Sequence, residues 1–334
     1  MTQEIEIECG GLDKQRFAPE RHYRVIIEGR DRDVFERVKK HPGVQGKKGK
    51  RLVDALMAIL PPGDILSVSF QNTEGQPSDG PKGEPAYQKF SPRQSVARAQ
   101  WNGGELKDDN LRVVVTEHHY IDGKLCDTFN GIPAVQEFSE SSGGLLIKKH
   151  YRDGMLNDSS DGTAAVQEFS ESSGNLVVKG HYKEGLLNDA VDGGAALQTF
   201  DDKGELIVRR YYADGKLNDG KNGEPAVWEV DPKNGFIKIW HYKDDQINDA
   251  LDGTPAYQGF ISDGKLLSVK QYKEGKLNDA ADGSPAVLVF SELDGALYAA
   301  WRFKNDKSEK ELSRFAKHRV EKKKAVKKLK ELHP

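Results

Sequence analysis

Apolar and polar positions alternate with a period of two along short stretches of this chain. In Ala165-Val166-Gln167-Glu168-Phe169, Ala165, Gln167 and Phe169 fall on one side and Val166 and Glu168 on the other. After a loop containing Gly174, Leu176, Val178, Gly180 and Tyr182 share one side, and Val177, Lys179 and His181 the other. Two short strands joined by such a turn predict an antiparallel hairpin, with Phe169 and Tyr182 expected on the buried face. The pattern recurs. Tyrosines stand at Tyr120, Tyr151, Tyr182, Tyr212, Tyr242 and Tyr272, spaced by 31, 31, 30, 30 and 30 residues. Behind each comes a step such as Gly275, Leu277, Asn278 and Asp279, then an Asp-Gly-x-Pro-Ala-Val element such as Asp282 to Val287. An aromatic follows at Phe138, Phe169, Phe200, Phe260 and Phe290, with Val230 in its place once. Self-similarity at this period predicts a mainly β, elongated array of about six hairpin units.

The array is expected over residues 81–303. Pro85-Ala86-Tyr87 and Phe90 already copy the Pro-Ala-Val-x-x-Phe element, and Trp101, Gly104 and Leu106 copy the tyrosine step in degenerate form. Before it, residues 1–80 read as a small α/β domain. Tyr23 to Ile27 and Ile65 to Phe70 look like strands, Asp31 and Asp33 cap a short helix through Val38, and Leu52 to Leu60 looks helical. Residues 71–84, rich in Gly, Pro, Ser and Asp, read as a linker. After the array, Leu312, Phe315, Ala316, Val320, Val326 and Leu329 fall at helical spacing among lysines, so 304–334 reads as a basic helix and tail. Three roles are open to it: a cap over the last hairpin for 308–320, a segment for acidic lipid or nucleic acid, or a solvated tail beyond Lys322.

Charge is unevenly distributed. The net value is -3, yet residues 14–51 hold thirteen Lys/Arg against five Asp/Glu, and residues 304–334 twelve against five. An acidic middle with two basic ends can attract partners of either sign. Lys47, Lys48, Lys50 and Arg51 in the loop from Gly43, with Lys322, Lys323 and Lys324, are the candidate polyanion-binding residues. That loop precedes a helix but lacks the Gly-Lys-Ser/Thr ending of a phosphate-binding loop. Cys9 and Cys126 have no motif spacing, which argues against a disulfide framework. The acidic start Met-Thr-Gln-Glu-Ile-Glu lacks a signal-peptide pattern, and no apolar run is long enough for a transmembrane helix, so a soluble cytoplasmic location is expected.

The Tyr-x-x-Gly-x-Leu steps, such as Tyr272-Lys273-Glu274-Gly275-Lys276-Leu277, resemble MORN-type repeats over about residues 85–303, and in particular a divergent bacterial antitoxin-like branch. The inserted Asp-Gly-x-Pro-Ala element is this chain's own addition. The resemblance implies a hairpin array used to attach proteins or membrane lipid, in some members as an immunity protein.

The candidate chemistry is sparse. His150, His181, Tyr211, His241 and Gln271 share one column just before the tyrosines. Equivalent positions lie two strand spacings apart, about 10 Å, too far to share a zinc ion with bonds near 2.1 Å. With Trp228 and Trp240, the column is instead the candidate protein-binding face. The paired aspartates, such as Asp158 with Asp161 and Asp189 with Asp192, offer too few oxygens for calcium and read as turn caps. No catalytic set, cofactor motif or metal-ligand spacing stands out. The sequence therefore predicts a non-enzymatic scaffold with a protein partner, plausibly antitoxin-like or an adaptor. The alternative is nucleic-acid or anionic-lipid binding through the two basic ends.

Overall fold

The structure, a computed structural model, describes residues 3–10, 22–29, 65–72, 74–79, 85–90 and 114–308, with single positions at 40, 42, 45, 55 and 58. The chain divides into two compact units, Met1–Val178 and Lys179–Pro334, which are taken in turn.

In the first unit the strands Gln3–Gly10, His22–Gly29, Ile65–Gln71, Tyr87–Phe90, Val114–His118, Val135–Phe138, Leu145–Lys149 and Val166–Phe169 follow one another, each antiparallel to the next. Chain order is ladder order, so each strand lies beside the ones that precede and follow it in this series. Ile65–Gln71 pairs with Tyr87–Phe90 across the boundary expected near residue 80. Ala55 and Ala58, inside the expected helix 52–60, are helical. The rest of that stretch, the helix expected through Val38, nearly all of the basic loop and everything beyond Ser308 lie outside the described residues.

The second unit repeats the plan more regularly. Leu197–Phe200, Leu206–Arg210, Val227–Val230, Ile237–Trp240, Tyr257–Phe260, Leu266–Lys270, Val287–Phe290 and Leu297–Trp301 form an antiparallel ladder in chain order. A register shift of one residue recurs just before Phe200, Phe260 and Phe290, where the shorter strand meets its partner. Mainly β structure built from serial hairpins is thus what the two-residue alternation and the repeat period specify.

Each repeat holds two hairpins rather than the one expected. The long strand ends two residues before the tyrosine, and the tyrosine opens a second, two-residue hairpin, as in Tyr182–Lys183 with Leu186–Leu187. The x-Gly pair at its tip explains this. Glu184 has φ 51° and Gly185 φ 81°, Asp214 48° and Gly215 79°, the paired positive values of a type I′ turn. Asp245 and Asp306 hold the second position with φ 66° and 63° without being glycine. Each carboxylate there accepts a hydrogen bond from a neighbouring repeat, Leu217 N–H at 2.7 Å and Leu277 N–H at 2.8 Å, which offsets the strain.

Phe169 and Tyr182 are half-buried, not core as expected. Strand residues on both faces of the ladder are mostly half-buried, so neither face is the interior. Besides strand residues such as Val68, Phe70, Phe90 and Val115 in the first unit, a narrow strip is excluded from solvent. It contains the alanine before each short strand (Ala134, Ala165, Ala196, Ala226, Ala256 and Ala286) and the column residue before each tyrosine.

Candidate functional site

The strip is organised by one aspartate per repeat. Asp219 follows Leu217-Asn218 and faces inward. Its Oδ1 accepts hydrogen bonds from Ala226 N–H at 2.9 Å and Tyr242 N–H at 3.1 Å, and its Oδ2 lies 2.8 Å from His241 Nδ1. A carboxylate only accepts, so the imidazole donates. Asp127 does the same with Ala134, Tyr151 and His150, and Asp79 with Ala86, Tyr120 and His119. At the far end Asp279 takes Ala286, Phe303 and the guanidinium of Arg302, at 2.7 Å. The alanine is tied at both ends, because its carbonyl accepts from the column residue: His241 N–H to Ala256, Gln271 N–H to Ala286. Each aspartate thus fastens one repeat's loop to the next repeat's strand, with bonds of the stronger, charge-assisted kind.

This moves the expected binding face. His150, His181, Tyr211, His241 and Gln271 are between 2% and 5% exposed, so the column cannot meet a partner from solution. For His150 and His241 the physical reason is the aspartate: a largely buried carboxylate needs donors, and the imidazole is one of them. Trp228 and Trp240 stay half-buried but lie on opposite faces of the ladder, since Trp240 pairs with Val227, the residue beside Trp228. The set therefore shares no single surface. Lys47, Lys48, Lys50, Arg51, Lys322, Lys323 and Lys324 lie outside the described residues.

Two repeats break the donor pattern. Opposite Asp189 the column residue is Tyr211, and opposite Asp249 it is Gln271, neither of which brings positive charge. Burial pushes both carboxyls above their ordinary range, against the pull of backbone hydrogen bonds from Tyr212 and Ala196, and from Tyr272 and Ala256. An acid whose folded pKa exceeds its unfolded value binds more protons when folded. Stability from that group is then highest below the unfolded value and falls as pH rises through the raised one. Gln271→His restores the donor and should stabilise the protein by about 1 kcal/mol at neutral pH. The gain should shrink as Asp249 protonates in acid. Urea titrations of both proteins at neutral and acidic pH check this; an equal gain at both would point to packing instead.

The second aspartates are turn caps, as their spacing implied. Asp161, Asp252 and Asp282 accept from the N–H two residues on, at 2.8–2.9 Å. The Thr163 hydroxyl and N–H, helped by Ser159, hold Asp161 down at about 2. Among the described residues no group of three His, Cys, Asp or Glu is placed to hold a metal ion. No helix among them is long and apolar enough to cross a membrane.

Between the two aspartates lies what sequence reasoning missed. In Asp189-Ala190-Val191-Asp192-Gly193 the Gly193 N–H donates to Ala190 C=O, closing a turn whose tip is Val191. The same turn puts Lys221, Leu251 and Ala281 at the tips of the following loops, all exposed. Val191 is 98% exposed and Leu251 104%, values rare for large aliphatic side chains. The signal was present as a position whose chemistry changes widely, Val, Lys, Leu and Ala, inside a turn that recurs. Phe129, in the first unit, is its counterpart and is equally exposed. Asp79, placed in the expected linker, was also missed, although its distance to Ala86 matches that from Asp158 to Ala165.

In the second unit two neighbouring loops, Asn218–Gly223 and Asn248–Asp252, wall a cleft of about 500 Å³ with Tyr242 and Lys243 also lining it. It is open, mixed in polarity and free of any nucleophile–base pair. A comparison with protein-family models matches none, and a comparison with curated proteins likewise finds no match.

Proposed function

We propose that this chain is a non-catalytic repeat scaffold that recognises a protein partner through the loop tips of the Lys179–Pro334 unit. One observation carries the reading: a recurring frame of main-chain bonds to aspartate presents a different side chain at each tip, Val191, Lys221, Leu251 and Ala281, projecting into solvent. A repeated frame that varies its outward tips suits surface complementarity, and apolar side chains held on rigid turns lose little entropy on contact. By strand spacing, adjacent tips stand about 10 Å apart, so a partner touching both Val191 and Leu251 spans about 20 Å. The cleft beside Leu251 adds a recess for a side chain. The resemblance to MORN-type repeats, with an antitoxin-like or adaptor role, belongs to this reading.

The test is a pull-down from source-cell lysate at low and high salt with the wild type and a Val191→Ser/Leu251→Ser variant. A single protein held near one-to-one at high salt by the wild type, and at least tenfold less by the variant, supports the proposal. Both tips are exposed, so the variant should melt at the wild-type temperature. Retention of the partner by the variant overturns the assignment to the tips. Nucleic acid bound only at low salt overturns it in favour of the basic ends, because phosphate contacts weaken steeply with salt.

A further inference from the structure

The four aspartates that fasten the loops of the second unit make the same two main-chain bonds through Oδ1 and differ at Oδ2. Asp219 Oδ2 lies 2.8 Å from His241 Nδ1, and Asp279 Oδ2 accepts from the Arg302 guanidinium at 2.7 Å. Asp189 and Asp249 spend Oδ1 on their two N–H donors, and among the described residues no side chain bonds to either Oδ2. These are also the two loops of this unit that carry a large aliphatic tip, Val191 and Leu251. Burial pushes the Asp249 pKa up, and His241 is the only side chain that counters it electrostatically.

Asp249 is half-buried and forms part of the wall of the cleft beside Leu251. The two lysines on those walls, Lys221 and Lys243, are exposed, and neither bonds to Asp249. Arg302 shows how a cation comes in: its side chain is 38% exposed, yet its guanidinium meets the equivalent oxygen of Asp279. We propose that the cleft receives an arginine side chain of the protein partner, which gives Asp249 Oδ2 the bond that Arg302 gives Asp279 Oδ2. A guanidinium is weakly hydrated and carries an apolar stem, so it suits a recess lined by Tyr242 and Leu251. An ammonium is more strongly hydrated and gives up more water on entering. An anion in the same place would face Asp249 and Asp252. The inference rests on the loop-tip reading and adds the chemistry of the partner: an arginine beside the group that meets Leu251.

Titration of the isotope-labelled full chain with N-acetyl-arginine amide tests this, followed by nuclear magnetic resonance at the amides of Leu251, Ala256 and Tyr272. The last two bond to the same carboxylate and report on it directly. Saturable shifts are expected, with half-saturation in the millimolar range because the probe lacks the rest of a partner. N-acetyl-citrulline amide, of the same shape without the charge, should bind about tenfold more weakly. Asp249→Asn should abolish the shifts. Because it also disturbs the loop, Gln271→Arg supplies a second reading. It copies Arg302, takes the Asp249 oxygen from within the chain, and should raise the unfolding midpoint while blocking the probe. Equal shifts with both probes, or arginine shifts that survive Gln271→Arg, overturn the inference. No saturable shift, with a partner that Val191→Ser/Leu251→Ser still loses, overturns it and leaves the loop-tip reading standing. Binding that depends on Asp249, with a partner that survives the tip substitutions, supports the arginine site and overturns the tips.

Discussion

Asp219→Ala should lower the stability of the Lys179–Pro334 unit by about 3–6 kcal/mol, because it leaves three donors without their acceptor. The Ala226 and Tyr242 N–H groups and the His241 imidazole all end on this one carboxylate, and His241 is 4% exposed. The carboxylate side chain is itself 24% exposed, so water recovers part of the loss and three fully orphaned donors would cost more. Asp252→Ala, in the neighbouring loop, removes only bonds from Thr254, its N–H and hydroxyl, at an exposed turn and should shift the unfolding midpoint little. Both aspartates belong to the same Asp-x-x-Asp-Gly pattern, so comparing the two variants separates a bond between repeats from a local cap. Hydrogen exchange sharpens the comparison. Asp219→Ala should deprotect the amides of Ala226 and Tyr242, whereas Asp252→Ala should change little beyond Thr254. Comparable midpoint losses in the two variants would show that the inward aspartate is no more than a turn residue.

Ala256→Leu should cost about 1–3 kcal/mol or more, through overpacking. Ala256 is fully buried, and both its main-chain groups are fixed: the N–H to Asp249 and the C=O to the His241 N–H. The backbone cannot back away from a larger side chain without breaking one of these bonds. Ala281→Leu makes the same chemical change at an exposed loop tip and should lie within about 0.5 kcal/mol of wild type. Urea midpoints of the two variants measure the difference, and a near-neutral Ala256→Leu would mean that the strip holds space the structure does not show.

The ladder was readable because its causes are local. Alternation in Val166 to Phe169 fixes a strand, and the glycines and aspartates at fixed offsets fix turns, all within a few residues of one another. The second hairpin was misread for a related reason. Alternation continues smoothly from Leu176 through His181 to Tyr182, so nothing in the pattern marks the break that the Glu184-Gly185 turn imposes. The column was misread because its decisive partner is remote: His241 meets Asp219, and Tyr242 bonds to the same carboxylate, from more than twenty residues away. No hydropathy period carries such a bond. Only the alanines hinted at it, since a residue so small, kept in every repeat between a turn and a strand, marks a place where backbones meet closely. The tips carry no periodic signal, because Val191, Lys221 and Leu251 share a place in the turn but no side-chain chemistry.

The aspartate bond runs in one direction. Asp189, Asp219, Asp249 and Asp279 each reach forward to Tyr212, Tyr242, Tyr272 and Phe303, in the repeat that follows. A single repeat released from its successor would keep its turn but lose the donors that settle its carboxylate, so it is not a unit that can stand alone. Yet these four junctions use the same main-chain donors at nearly the same distances, so the repeats present one another with a common backbone match. A copied stretch of thirty residues inserted at such a junction would find matching donors and acceptors on both sides. The bond that denies each repeat independence is therefore what makes it interchangeable, and it gives the gene a simple way to lengthen or shorten the array while each tip side chain drifts on its own.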